Sequence, residues 1–289
     1  MKKNKTKILI FADPDREKVN LAVRKFLSFA RDKIQVVARY DIKRYKKHRR
    51  LIRLPKSCDY AFVFGGDGSI IAAAKALSYS PLPVVGVNIG KLGYLAEFSI
   101  PELQQFLEQI ISGKLPIEKR MMLDCSISRK GKKIFSSMAV NDCFITSGHP
   151  YRMIELQIKV NALPLAALVG DGLIIASPTG STAYSLSAAG PILSNDMEGL
   201  VITPICPHSL SFRPIVINAK SRIDCTPLHV NAGTTVSIDG QISLPFTADS
   251  VISIKKAHNY FLVVHNPLRN QWDTLAAKLG WAEKPKYNL

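Results

Sequence analysis

Two glycines, an aspartate, a third glycine and a serine, GGDGS at residues 65–69, stand between a run suited to a buried strand and a run suited to a helix. Glycines let backbone approach a phosphate without interference from Cβ, and the N–H groups that open a following helix favour an anion. Asp67 is the odd member, because a bare carboxylate repels a phosphate unless it holds a cation or a hydroxyl. Either role belongs to phosphoryl transfer; the competing reading is a solvent-facing aspartate in a tight turn. The two common nucleotide-loop patterns are absent: GVNIGKL at residues 86–92 is the nearest approach to GxxxxGK[ST], and no GxGxxG occurs.

A longer constellation follows at residues 170–191, GDGLIIASPTGSTAYSLSAAGP. Ser177, Thr179, Ser181, Thr182, Ser185 and Ser187 surround Gly180 and Tyr184, with no charge after Asp171. Hydroxyls and bare backbone suit a ligand rich in hydrogen-bonding groups, and Tyr184 offers a ring on which a base could stack. The alternative is a Ser/Thr-rich turn leading into a helix of small residues. Cys206 and His208 lack a complementary ligand pair nearby, so a structural role is the better reading than metal binding.

These residues need elements to hold them. KILIF, IQVVARY, YAFVF and PVVGVN are strand candidates, separated by helical patterns over residues 15–33, SIIAAAKALS and PELQQFLEQIIS. That alternation predicts a parallel sheet covered on both faces. After about Gly113 the rhythm changes to short alternating runs such as MLDCSIS, KIFSSMAV, MIELQIKV, TTVSIDGQISL and SVISIKK. RKGKK and the Asp239-Gly240 pair read as hairpin turns. A last helical pattern, WDTLAAKLGW, could return to the first part of the chain. The expected division is an α/β domain over residues 1–118 rejoined by 267–289, and a β-rich domain over 119–266.

Composition bounds the function. The 289 residues, 47% hydrophobic, suffice for a sizeable core, and 39 Lys plus Arg against 22 Asp plus Glu give a net charge of +17. Such a chain draws polyanions, whether nucleic acid, anionic membrane or a phosphorylated metabolite. Part of the excess is KRYKKHRR at residues 43–50, read either as a solvated basic loop or as a lid facing a polyanion. Five cysteines, an odd number with no CxxC, argue against a disulfide framework or a zinc ribbon, and reduced thiols in a cytoplasmic protein are expected. No apolar run approaches the roughly 18 residues needed to span a bilayer, and no internal repeat is present.

GGDGS, VND at residues 140–142, GDGLIIASPTGSTAYSLSAAGPI, TPICPHSLSFRPIV and SIDGQ, in this order and spread over most of the chain, resemble the NAD kinase family. GGDG alone is shared with diacylglycerol and sphingosine kinases and with phosphofructokinases; PTGSTAYSLSA is not. The resemblance implies an N-terminal Rossmann-like α/β domain and a C-terminal β-rich, two-sheet domain. It implies phosphorylation of the 2′-hydroxyl of the adenosine ribose of NAD to give NADP. The donor would be ATP, another nucleoside triphosphate or polyphosphate, and the cofactor a divalent cation such as Mg2+. It further implies NAD and ATP as partners rather than membrane or nucleic acid, and a homodimer or homotetramer. Carried over by residue, it makes Asp67 the catalytic carboxylate within the loop Gly65, Gly66, Asp67 and Gly68, with Asp67 also able to help place the metal. Asn141 and Asp142 match the pair that holds the nucleoside. Arg152, Asp171 and Gln241 fall at further NAD-contacting positions, and Thr182, Ala183, Tyr184, Ser185, Leu186 and Ser187 form the nucleotide-binding run.

Read without the resemblance, Arg152 is equally a rim charge on a hairpin, and Gln241 a plain turn residue after Asp-Gly. Two departures stand out: the family often reads GGDGT and AGGP where this chain has GGDGS and Ala188-Ala189-Gly190. The serine keeps a hydroxyl, whereas Ala189 adds a methyl where backbone approach matters. The rival readings are a lipid kinase, a catalytically silent nucleotide sensor and a nucleic-acid-binding protein, the last of which would bind with strong salt dependence.

Overall fold

The computed structural model describes residues 5–46, 55, 57–90 and 93–280. Its first part alternates as β1 (Thr6–Ala12), α1 (Glu17–Ala30), β2 (Ile34–Asp41), α2 (Lys43–Lys46), β3 (Tyr60–Gly65), α3 (Asp67–Ala76), β4 (Val84–Asn88) and α4 (Ile100–Ile111). The four strands pair in parallel in the order β2-β1-β3-β4. Successive residues of a strand face opposite sides, so Ile8, Ile10, Phe62 and Phe64 pack with α1 and α4, while Leu9, Phe11, Ala61 and Val63 pack with α3. Two-sided burial explains why these strands are apolar without alternation. The chain runs outward in opposite directions from β1 to β2 and to β3, and ligands of open α/β sheets sit beyond the strand ends at such a switch point. GGDGS lies at that end of β3.

The helix expected from Ser69 starts two residues earlier, so Asp67 and Gly68 are its first turn rather than a preceding loop. The physical reason is that extended Gly66 already serves as the N-cap, and its carbonyl accepts from Ser69 and Ile70. Of the basic block, residues 43–46 form α2 and the remainder lies outside the described residues. Lys43 pairs with Asp15, and Arg44 lies 3.5 Å from Asp41.

The remainder is β5 (Ile117–Arg129), β6 (Lys132–Ala139), β7 (Asp142–Thr146), β8 (Ile154–Val160), β9 (Leu163–Gly170), β10 (Gly172–Ala176), a 3-10 turn (Thr179–Thr182), α5 (Tyr184–Ser187), β11 (Gly199–Ile205), β12 (Ile215–Asn218), β13 (Arg222–His229), β14 (Thr235–Ile238), β15 (Ile242–Pro245), β16 (Ser250–Val264) and α6 (Gln271–Leu279). An antiparallel sheet runs β12-β11-β10-β7-β14-β15. Its inner face packs through Cys143, Ile145, Leu173, Ile175 and Val236 against Leu123, Leu156, Ile223 and Ile252 of the other sheet. Both predicted hairpins carry positive φ at their central pairs, Lys130-Gly131 at 50° and 75° and Asp239-Gly240 at 52° and 61°, as a primed turn requires.

β16 ties the two parts together. One edge pairs with β5 along most of its length, while the other meets β13 near Ile252 and β4 at Val263, so a single sheet runs from the parallel strands into the antiparallel ones. The segment after β16 is bound to the α/β part by Arg269. Its guanidinium bonds both oxygens of Glu102, at 2.9 and 3.1 Å, and the carbonyl of Glu97. Lys278 of α6 sits 4.1 Å over the ring of Tyr94. Among the described residues no helix is long and apolar enough to cross a membrane.

Candidate active site

Asp67 is clamped by backbone. Oδ2 accepts from the N–H of Tyr94 at 2.8 Å, and Oδ1 accepts from those of Leu95 and Ala96 at 3.0 and 3.2 Å. The clamp requires Gly93: a Cβ there would lie 1.9 Å from Asp67 Oδ1. Two bonds saturate Oδ1, whereas Oδ2 keeps a lone pair for a hydroxyl or a cation. The residue is partly exposed, so that lone pair is accessible.

A second carboxylate is held the same way. Asp239, read as a hairpin residue, turns its side chain back to accept from the N–H groups of Val140, Asn141 and Asp142 at 3.1, 2.8 and 3.3 Å. Two residues on, Gln241 Nε2 donates to the carbonyl of Gly68 at 2.8 Å, which joins this turn to the helix that starts at Asp67. Asp142 is 3% exposed, and burial, with the charge of Asp239 beside it, pushes its carboxyl up to about 8. Burial also raises Asp239, opposed by Lys75 and the three N–H bonds.

The hydroxyl-rich segment lies over the outer face of the six-stranded sheet, where Ala188 and Leu193 meet Phe144, Ile174 and Val201. Most of its hydroxyls shape backbone. Ser177 Oγ donates to Val140 O at 2.5 Å and accepts from Gly180 N, Ser181 Oγ donates to Pro178 O and accepts from Leu193 N, and Ser185 Oγ meets Thr203 Oγ1 at 2.8 Å. Gly180 is obligatory, since a Cβ would lie 2.0 Å from the carbonyl of Asn141. That contact seats the 3-10 turn directly on the Asn141-Asp142 step. Tyr184 is 38% exposed, its ring held edge-on by Phe144 at 5.0 Å. Burial, then the charges of Cys206, Asp142 and Asp171, raise its hydroxyl.

Gly65, Gly66, Asp67, Gly68 and Gln241 are therefore brought together, and Asn141, Asp142, Thr182, Ala183, Tyr184 and Ser185 form an adjoining group with Asp171 at its edge. Leu186 and exposed Ser187 continue α5. Arg152 stands apart: it is exposed in the loop before β8, where its carbonyl accepts from Asn231, and among the described residues no side-chain bond ties it to the others. Ala189 has φ of 61°, so the chain's departure there places a methyl in a left-handed turn. Its cost is backbone strain, and the residue is exposed.

The sequence reading did not identify Gly93, Lys75 or the carboxylate of Asp239. The one signal for Lys75 is a lone charge inside the apolar run IIAAAKA. Among the described residues, buried polar atoms without partners at the site include Asn88 Oδ1, whose residue pairs with Gly65 across the sheet, Tyr94 Oη, Thr179 Oγ1 and Gln241 Oε1. Unmet hydrogen-bonding capacity at such positions suits a polar ligand.

For a cation, the free lone pair of Asp67 fits one carboxylate contact, the usual protein share for a magnesium ion otherwise held by phosphates and water. Glu97, Glu118 and His265 also bring ligand atoms within 4.8 Å of one another. There Arg120 Nη2 reaches Glu118 at 2.6 Å and Glu97 at 3.4 Å, and His265 Nδ1 lies 3.0 and 3.1 Å from the same two carboxylates, closing a ring. This ring walls a cavity of about 560 Å³ that shares only Gly93 and Tyr94 with the Asp67 clamp.

The family described as ATP-NAD kinase N-terminal domain matches residues 9–115, and ATP-NAD kinase C-terminal domain matches residues 140–266. The NAD kinase of Desulforamulus reducens is 44% identical over 204 residues, 71% of each chain, and that of Geobacter sulfurreducens 38% identical over 231 residues, 80% of this chain and 81% of the relative. In fold, the chain superposes on yeast NADH kinase complexed with NADH with a TM-score of 0.85 at 24% identity, covering 98% of this chain and 90% of the other. An NAD kinase from Archaeoglobus fulgidus in complex with ATP gives 0.73 at 22% identity, covering 94% and 97%. With both halves matched and relatives at this identity spanning most of its length, the chain belongs to the NAD kinase family.

Proposed function

We propose that this protein is an NAD kinase, transferring the γ-phosphoryl group of ATP to the 2′-hydroxyl of the adenosine ribose of NAD to give NADP and ADP. The observation that carries the reading is the carboxylate of Asp67, fixed by three backbone N–H groups with one accessible lone pair at the start of a helix. That lone pair orients the acceptor hydroxyl. The hydroxyl oxygen forms a bond to the γ-phosphorus as the bond to the β-γ bridging oxygen breaks, and Asp67 receives the proton late. A carboxylate is a weak base, but a loose phosphoryl-transfer transition state demands little early proton removal. A divalent cation, when bound, neutralises charge on the donor phosphates.

Asn141, Asp142 and the run Thr182 to Ser187 hold the nucleoside, with Tyr184 as a stacking face, and Gln241 couples that group to the catalytic loop. The working division is an α/β domain over 1–118 with 267–289, and a nucleoside-binding domain over 119–266. Arg152 lies in the same loop as exposed Tyr151 and Met153, and the edge strand β9 exposes Leu163 at 71% and Leu165 at 42%. An open apolar edge favours association, so a second copy in a cytoplasmic homo-oligomer is the partner we assign to this face, bringing Arg152 to a shared nucleotide site.

The test is a coupled assay for NADP formation from NAD, ATP and magnesium. Turnover that requires all three supports the reading; nucleotide binding without product points to a sensor, and phosphorylation of diacylglycerol or sphingosine in place of NAD to a lipid kinase.

A further inference from the structure

Glu97, Glu118 and His265 come from three elements that meet where the parallel strands give way to the antiparallel ones. Glu97 lies in the loop between β4 and α4, Glu118 near the start of β5, and His265 directly after β16. The pairing of Val264 with Ile117, and a bond from His265 N–H to the carbonyl of Pro116 at 2.9 Å, bring the last two together. The oxygens of the two carboxylates are then shared out in order. Arg120 Nη2 takes Glu97 Oε1 and Glu118 Oε2, while the other oxygen of each, Glu97 Oε2 and Glu118 Oε1, faces His265 Nδ1 at 3.1 and 3.0 Å. The backbone N–H of Asn266 also donates to Glu97 Oε2, at 2.7 Å, and leaves it one further lone pair.

Arg120 is 4% exposed, so its guanidinium is a buried fixture that turns one oxygen of each carboxylate toward the imidazole, as the outer partners of metal ligands do. Nδ1 itself is buried although the His265 side chain is 24% exposed, and it is aligned for a hydrogen bond with neither oxygen. One proton is aimed at one acceptor, whereas Nδ1 stands between two. Two atoms bound at right angles to one ion at about 2.1 Å lie about 3.0 Å apart, and Nδ1 stands at that spacing from each oxygen. With the imidazole neutral, two carboxylates against one guanidinium leave one negative charge in excess, and a buried excess charge calls for a cation.

We propose that Glu97 Oε2, Glu118 Oε1 and His265 Nδ1 form a binding site for one divalent transition-metal ion. An imidazole nitrogen among carboxylate oxygens selects the zinc and manganese group over magnesium, which takes oxygen ligands. Glu118 and His265 are partly exposed and line the cavity beside the clamp, so water completes the coordination from that side. The ion ties β5 and the end of β16 to the loop that holds the catalytic carboxylate, since Glu97 directly follows Ala96, whose N–H bonds Asp67 Oδ1. It is distinct from a cation at the donor phosphates, and it rests on none of the nucleotide assignments.

The experiment titrates the chelator-treated full chain with Zn2+ by calorimetry, without nucleotide, and follows melting with and without the metal. His265→Ala, Glu118→Gln and Asp67→Asn are measured beside wild type. Wild type and Asp67→Asn should bind one equivalent with affinities within about twofold of each other, and zinc should raise both melting temperatures. His265→Ala should lose that equivalent and its melting shift, and Glu118→Gln should bind at least about tenfold more weakly. Magnesium in about a hundredfold excess should leave the zinc in place. Absence of a zinc equivalent in wild type, an unchanged equivalent in His265→Ala, or its loss in Asp67→Asn would overturn the proposal, and so would displacement of the zinc by magnesium. If His265→Ala does not fold, Glu118→Gln decides, and wild-type affinity there rejects the site.

Discussion

Asp67 and Asp239 are the same device used for opposite ends. Each carboxylate accepts three consecutive backbone N–H groups from a distant segment, residues 94–96 in one case and 140–142 in the other. Asp67 stands at a helix start with a lone pair accessible, and the segment it grips serves to hold it still. Asp239 faces inward from a hairpin, and it holds the segment still. In the proposed function, one clamp presents a carboxylate to a substrate; the other presents backbone and a neighbouring side chain, Asp142. Identical bonding thus serves a reacting group in the α/β part and a scaffold in the β part, and what separates them is position: one opens a helix after a parallel strand, the other sits in the turn between β14 and β15.

The comparison breaks first at its glycines. Gly93→Ala should cut kcat about a hundredfold, because the new Cβ must push aside Asp67 or the loop, whereas Gly180→Ala should act mainly on KM for NAD by displacing Asn141; steady-state kinetics on both separate the two. Similar losses in kcat alone from both would deny the division of labour. Next comes Asp142, whose carboxyl is raised to about 8 by burial and by Asp239. A raised carboxyl favours the protonated fold, so stability falls as pH rises from the unfolded value near 4 towards 8 and is level above it. Asp142→Asn should flatten that fall, so its melting temperature gains on wild type across this window and then runs parallel.

The loop that clamps Asp67 continues into Glu97, whose ring with Arg120 and Glu118 holds His265. The bond to Glu97 and the charges of both glutamates raise His265 above its ordinary value. Its contribution is therefore full below the unfolded value near 6.5 and lost as pH climbs through the raised folded value. His265→Gln should melt below wild type in acid, with the gap closing as pH rises through that point. The smallest effect is at Ala189: glycine there relieves the left-handed strain but frees the unfolded chain, for a net gain of up to about 1 kcal/mol by denaturant unfolding, with kinetics unchanged.

How much of this was legible follows from contact range. The βα alternation, the hairpins at Lys130-Gly131 and Asp239-Gly240, and the placement of GGDGS at a strand end are local patterns, and each reads directly from neighbouring residues. The two clamps are not local. Asp67 meets Tyr94 across 27 positions, Asn141 meets Asp239 across 98, and Gly68 meets Gln241 across 173. Asp239 satisfied its turn so well that nothing signalled a second duty. Gly93 directly follows a stretch noticed only for failing to be a phosphate loop, and Lys75 looked like an ordinary helix residue until its end was found buried.

The most direct test sets Asp67→Asn beside Asp239→Asn, with NADP formation and NAD binding measured on each. Asp67→Asn should lose about a thousandfold or more in kcat while NAD binds within several-fold of wild type, and Asp239→Asn should weaken NAD binding with the larger part of kcat retained. Retained turnover in Asp67→Asn, or the same kcat collapse with intact NAD binding in both variants, would contradict the assignment of one clamp to chemistry and the other to support.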